Sequence, residues 1–113
     1  MLSIPSNALG LPVASFEVVI EEHHHETVVR CFGEIDLASG PSLTAILHRV
    51  TRRDAPVRLD LSGVEFFDTS GLHALEAARS LADRLGCRLD VGPVSEAVTR
   101  MSRLTGHDLA GAR

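Results

Sequence analysis

The chain has 113 residues, 44% hydrophobic and 23% charged, which is enough apolar content for one globular domain with its own core. A formal net charge of −4 and a pI of 5.8 leave no basic surplus to neutralise a row of phosphates, so nucleic acid is excluded as a direct partner and a protein is expected instead. Cys31 and Cys87 form no Cys-x-x-Cys pair, no apolar run approaches the ~20 residues of a bilayer crossing, and Met1 to Val13 lacks a secretory pattern; no zinc ribbon, disulfide framework or membrane contact is expected, and the location is expected to be cytoplasmic.

Residues 1–14 carry Ser3, Pro5, Ser6, Asn7, Gly10 and Pro12, break both hydrophobic periods, and are expected to form a flexible N-terminal tail ahead of a folded domain over 15–113. Phe16, Val18 and Ile20 then alternate with Glu17 and Val19, and Thr27 to Phe32 is β-branched and apolar. This predicts two strands joined through Glu22-His23-His24-His25-Glu26. Gly40-Pro41 puts proline where a first helical residue tolerates it, and Leu43, Ile46, Leu47 and Val50 follow helical spacing up to a stop at Asp54-Ala55-Pro56. Val57-Arg58-Leu59-Asp60-Leu61 reads as a third strand. Leu72, Leu75, Ala78 and Leu85 recur as a second helix, with Gly86 as its left-handed cap. Arg88-Leu89-Asp90-Val91 supplies a fourth strand. Ser95 is the expected N-cap of a last helix that keeps Val94, Ala97, Val98, Met101 and Leu104 on one face and ends at Gly106.

The order β-β-α-β-α-β-α predicts an α/β domain: a single mixed β-sheet opened by a β-hairpin, with right-handed crossovers. Strands covered on both faces are continuously apolar, whereas Arg58, Asp60, Arg88 and Asp90 interrupt two of these at every second position. The α-helices are therefore expected to pack mainly on one face, leaving the other face or an edge open to solvent or a partner.

The segment Phe66-Phe67-Asp68-Thr69-Ser70-Gly71-Leu72 places a carboxylate and two hydroxyls where a strand hands over to a helix. Asp, Thr and Ser are preferred N-caps and Gly permits close approach, so the run has a purely structural reading. The same helix start, with its free N–H groups and dipole, would welcome a phosphate on Thr69 or Ser70. Gly33-Glu34-Ile35-Asp36 is likewise either a strand end turning into a helix or a contact site. In His23-His24-His25 only the first and third side chains converge on a strand and no third ligand stands nearby, so a solvated hairpin tip is expected and no metal. Cys31 falls in a core strand without any oxyanion loop, and no phosphate-cradling glycine pattern is present; neither catalysis nor a cofactor is expected.

Those two segments together resemble the STAS family (sulfate transporter and anti-sigma-factor antagonist domains), in particular its bacterial anti-sigma-factor antagonists, over about Phe16 to Thr105. In that family a Gly-Glu-Leu-Asp-like strand end precedes a helix, a strand, and an Asp-Ser-Ser-Gly-Leu or Asp-Ser-Thr-Gly-Leu loop whose first hydroxyl after the Asp is the phosphoacceptor. The resemblance implies Thr69 as acceptor, Ser70 as fallback, and a partner surface of Asp36, Asp68, Thr69, Ser70, Gly71 and Leu72. It implies as partner an anti-sigma factor that is also a serine/threonine kinase, held by the unmodified form so that a sigma factor is freed, let go on phosphorylation, and reset by a phosphatase. Thr replaces the usual Ser, and the chain ends at Arg113, so a last C-terminal element is expected to be short or missing. The alternative within the family is a non-phosphorylated subunit of a membrane lipid-transport ATPase or of a stress-sensing complex. A monomer is expected, with an uncovered sheet edge as the route to a dimer.

Overall fold

The computed structural model describes residues 2–5, 16–53 and 55–106. The elements are β1 (Leu2–Pro5), β2 (Phe16–Glu22), β3 (Thr27–Ile35), α1 (Gly40–Thr51), β4 (Val57–Phe67), α2 (Thr69–Leu85), β5 (Leu89–Val94) and α3 (Glu96–Thr105). The strands form one sheet in the order β1-β2-β3-β4-β5. β1, β2 and β3 are antiparallel neighbours, while β3–β4 and β4–β5 pair in parallel through α1 and α2. Both crossovers step in the same direction along the sheet, so the right-handed rule puts α1 and α2 on the same face, where they pack side by side. The mixed sheet, its opening hairpin and the one-sided helices agree with the sequence expectation.

Alternation decides which strand residues look inward. Phe16, Val18 and Ile20 of β2, Val29 and Cys31 of β3, and Val57, Leu59 and Leu61 of β4 are buried together with Leu43, Leu47 and Val50 of α1 and Leu72, Leu75 and Ala78 of α2. Val98 of α3 is sealed into the same core, and α3 packs against β4. Gly86 and Gly106 end α2 and α3 at φ 69° and 76°, a left-handed turn that only glycine adopts without strain. Ser95 caps α3 by accepting the Val98 N–H.

The structure departs from the sequence reading in three places. Leu2–Pro5, inside the expected tail, is an edge strand in register from Leu2 opposite Ile20 to Pro5 opposite Glu17; its place at the edge is what lets a proline end it. The rest of that tail, residues 6–14, and the helix stop at Asp54 lie outside the described residues. β4 runs on to Phe67 rather than stopping at Leu61, because shifts in its register with β3, between Arg30 and Phe32 and again between Gly33 and Glu34, break the two-residue period that marks a strand. At the first of these Gly63 lets the Phe32 ring lie across the backbone, since a Cβ there would fall 2.4 Å from the ring. The fourth strand of the expectation begins at Leu89, so that Arg88 stands just outside it.

The helix-free face is held by charge across three strands. Arg30 of β3 donates through Nε and Nη2 to Glu21 of β2, both at 3.2 Å, and through Nη1 to Asp60 Oδ2 of β4 at 2.6 Å. Asp60 Oδ1 also accepts from the Ser62 N–H at 2.9 Å and its hydroxyl at 2.6 Å. Burial alone would raise the Asp60 carboxyl, but the Ser62 donors and the Arg30 guanidinium outweigh it and hold it below the ordinary range. The guanidinium, with help from His23, holds Glu21 down as well.

A depressed folded pKa stabilises above the unfolded value and is lost as pH falls through the folded one. Thermal unfolding followed by circular dichroism should therefore show stability declining from about pH 4 downward, with a shallower decline in Asp60→Asn. At neutral pH that variant should lose about 1.5–3 kcal/mol, the scale of hydrogen bonds to a charged group. An identical acid profile in both proteins would remove Asp60 from the account.

Candidate functional site

The site grows from the paired ends of β3 and β4. Ile35 lies opposite Phe67 in the parallel register, and the Asp68 N–H donates to the Ile35 carbonyl at 3.3 Å, so the corners leading into α1 and α2 stand side by side. Such carboxyl ends of parallel strands are where open α/β sheets place their functional loops.

In the first corner Asp36 acts as a local clamp. Its Oδ1 accepts the N–H groups of Ala38 at 3.0 Å and Ser39 at 3.1 Å, and its own N–H donates to Ser39 Oγ at 3.0 Å. The buried Ser39 hydroxyl turns back to donate to the Glu34 carbonyl at 2.8 Å. This ties strand end to helix start, and it throws Leu37 outward, 81% exposed.

In the second corner Asp68 is the N-cap of α2. Its backbone is extended, and its Oδ1 accepts the Ser70 N–H at 2.8 Å. Thr69 is then the first helical residue and is exposed, whereas Ser70 is half-buried. Ser70 Cβ would lie 3.1 Å from a Cβ built on Gly40, so here the helices touch through glycine and serine. The two hydroxyls, which resemblance ranks as acceptor and fallback, differ in exposure: Thr69 faces solvent and Ser70 faces α1.

Gly71 and Leu72, expected as contact residues, are turned inward. Leu72 is 3% exposed in the core, and Gly71 is buried over the Phe67 ring. Their part is to seat the loop on the core; they offer the isolated chain no side-chain surface. Asp36, Asp68, Thr69 and Ser70 do come together. The sequence reading missed Ser39, whose hydroxyl closes the Asp36 turn, and the groove of about 480 Å³ between α1 and α2 that Leu37, Pro41, Thr44, His48, Ser70 and His73 help to line.

The rival chemistries find other surroundings. Cys31 is fully buried, and burial, with Asp60 adding to it, pushes its thiol up to about 12, far from a nucleophile at neutral pH. His23, His24 and His25 sit exposed at the hairpin tip, the last two with rings edge to face at 4.9 Å. Among the described residues no helix is long and apolar enough to cross a membrane.

A STAS domain family model matches residues 17–109, most of the chain and both corners. The chain belongs to the STAS domain family. An anti-sigma factor antagonist from Mycobacterium paratuberculosis is similar in structure at a TM-score of 0.73 and 31% identity, covering 81% of this chain and 79% of that one. The anti-sigma-B factor antagonist of Bacillus subtilis is 26% identical over 92 residues, 81% of this chain and 84% of its own. The fold is also that of SpoIIAA. Its unphosphorylated form matches at a TM-score of 0.67 and 18% identity, over 80% of this chain and 81% of that one. The phosphorylated form of the Bacillus protein matches at 0.63 and 17%, over 80% and 84%.

For this STAS domain Gly71 gives a sharp test. Alanine at a helical glycine normally gains about 1 kcal/mol. Here the added Cβ would lie 2.3 Å from Phe67 Cε1, and that ring is buried and cannot yield cheaply. Overpacking of this kind costs about 1–3 kcal/mol, so Gly71→Ala should lower the unfolding temperature. A raised one would show that Phe67 moves aside freely.

Proposed function

We propose that this STAS domain is an anti-sigma-factor antagonist: unmodified, it holds an anti-sigma factor that is a serine/threonine kinase and so frees a sigma factor, and phosphorylation of Thr69 releases it. The observation that carries this reading is the solvent exposure of Thr69 at the first position of a 17-residue helix, beside an Asp68 that fixes the loop by capping it. A kinase can reach that oxygen without unfolding the domain. Likeness to named anti-sigma factor antagonists supports the same role.

The chemistry of the switch is electrostatic. A phosphate on Thr69 would add about −1.5 to −2 units of charge and three acceptor oxygens. Within this chain the α2 N-terminus offers partial positive charge and N–H groups, and beyond the capping Asp68 the first turn holds no acidic side chain. At a docked interface the same dianion must be stripped of water, and unfavourable pairings there cost several kcal/mol. Each ~1.4 kcal/mol is tenfold in affinity, so one phosphate changes binding by about 100-fold or more. Asp68 orients the acceptor and the kinase brings its own catalytic carboxylate. Asp36, Asp68, Thr69 and Ser70 form the contact surface, and a phosphatase resets it.

Purified anti-sigma serine/threonine kinases incubated with the protein and ATP should add the mass of one phosphate, located at Thr69 by peptide mass spectrometry. Thr69→Ala should block labelling and keep kinase binding, while Thr69→Glu should weaken binding incompletely, one carboxylate being a poor dianion. Labelling that persists in Thr69→Ala and maps to Ser70 would overturn the acceptor assignment. Binding to a transporter ATPase with no labelling by any kinase would overturn the switch.

A further inference from the structure

The three histidines of the β2–β3 hairpin tip have no part in the Thr69 corner, which lies at the other end of the sheet. Here Thr27 stands opposite Val57 and Val57 opposite Leu89. The Thr27 N–H donates to the Pro56 carbonyl at 2.9 Å and the Val57 N–H to the Arg88 carbonyl at 2.8 Å, so the starts of β3, β4 and β5 stand level. The hairpin tip is closed beside them by the His23 N–H, which donates to the Glu26 carbonyl at 2.8 Å. Together they enclose a hollow of about 610 Å³, lined by the tip histidines, Arg58 and Arg88, with Glu26 and Asp90, a size within the range of small-molecule sites.

Both lining carboxylates are already matched by charge. Glu26 pairs with Arg58 at 3.4 Å and Asp90 with Arg88 at 2.8 Å, while at the hairpin Glu22 pairs with Arg53 and Glu21 with Arg30. Beyond Arg88 and Asp90, Arg79 and Asp83 of α2 add one charge of each sign. The imidazoles are the surplus. His23 reaches Glu21 at 3.2 Å, and His24 and His25 meet edge to face without an ion-pair partner among the described residues. Histidine takes up its proton between about pH 8 and pH 5, so acidification turns a balanced hollow into a positive one. Exposed ion pairs are weak and a guanidinium carries five N–H donors in a planar fork, which lets Arg58 and Arg88 share their donors with an oxyanion while keeping their carboxylates. Among the described residues no three His, Cys, Asp or Glu side chains are placed to hold a metal ion, so the imidazoles act as N–H donors. We propose that this hollow binds a small oxyanion of the phosphate class, held by Arg58, Arg88 and the tip histidines, and more tightly as the histidines are protonated. One such anion needs no basic stripe of the kind nucleic acid demands, so a chain of net charge −4 can hold it. The Thr69 switch has no part in this binding.

Sulfate and inorganic pyrophosphate, titrated at fixed ionic strength and followed through backbone amide resonances, test this without kinase or ATP. Sulfate stays a dianion between about pH 6 and about pH 8, so a change in its affinity reports protons on the protein. It should bind at least about tenfold tighter near pH 6 than near pH 8 and shift residues 23–26, Arg58 and Arg88, and pyrophosphate should shift the same residues. Replacing all three histidines by His23→Gln, His24→Gln and His25→Gln keeps polar N–H donors that cannot take up a proton. That variant should lose the pH dependence with its unfolding temperature unchanged, the three side chains being exposed. Arg58→Gln, which also leaves Glu26 unmatched, should weaken sulfate about tenfold. No binding of either anion near pH 6, equal affinity at the two pH values, shifts confined to the Thr69 turn, or a pH dependence retained by the triple variant would each overturn the site. Sedimentation with phosphatidic acid vesicles without binding of either free anion would overturn it too. Thr69 labelling is read separately, so either idea can fail while the other stands.

Discussion

Everything at the functional end of this molecule depends on two parallel strands finishing level. The Ile35–Phe67 register and the Asp68 N–H to Ile35 carbonyl bond bring two corners, 32 residues apart in sequence, into one surface. Neither corner is a site alone. The first is a turn clamped by Asp36 and Ser39, the second a helix start capped by Asp68. What joins them is that the β3–α1–β4 crossover returns the chain beside its own starting strand, so that Leu37, Ser70 and Thr69 share one end of the sheet.

The opposite requirement is met on the helix-free face. A sheet covered on one side must keep its other side wet and still hold its register, and the Glu21–Arg30–Asp60 bridge does both. A one-residue slip between β3 and β4 would move Arg30 away from Asp60 and send Val29 and Cys31 out of the core. Much of its strength comes from local bonding: Asp60 is largely buried and finds two further donors in Ser62, whereas Glu21 and Arg30 are more exposed and solvent-screened. Because β4 runs from this bridge to Phe67, the same strand that is pinned by charge near its start delivers the Asp68-Thr69 turn at its end.

How legible this was in the sequence depended on whether the signal was periodic and local. Leu43, Ile46, Leu47 and Val50 gave α1 its inward stripe, and Gly86, Ser95 and Gly106 marked helix ends where the structure has them. The interrupting charges at Arg58 and Asp60 foretold the bare face. Signals that depend on pairing were not legible: β1 is defined by its partner β2 rather than by its own proline-broken sequence, and the upper half of β4 hides behind bulges. Motif matching pointed to Asp36, Asp68, Thr69 and Ser70, which the fold brings to one end of the sheet, but could not tell a residue that shows its side chain from one that buries it. Gly71 and Leu72 are of the second kind. The α1/α2 groove could not be read at all, since its walls come from two segments whose adjacency only the fold creates.

A rigid loop suits a charge switch better than a flexible one, and the magnitudes say why. If Thr69 lay on a disordered segment, phosphorylation could be absorbed by moving the segment, and an interface would feel only a fraction of the added charge. Here Asp68 holds the Ser70 N–H, Gly71 lies on Phe67, and Leu72 is locked in the core, so the first turn of α2 cannot retreat. The helix N-terminus offsets part of the dianion's cost inside the chain, by about 0.3–1 kcal/mol for each favourable charge–dipole contact. A desolvated like-charge encounter across an interface costs several kcal/mol. The difference between those two numbers is the working range open to the proposed switch: the fold would tolerate the phosphate, and the penalty would fall on the complex.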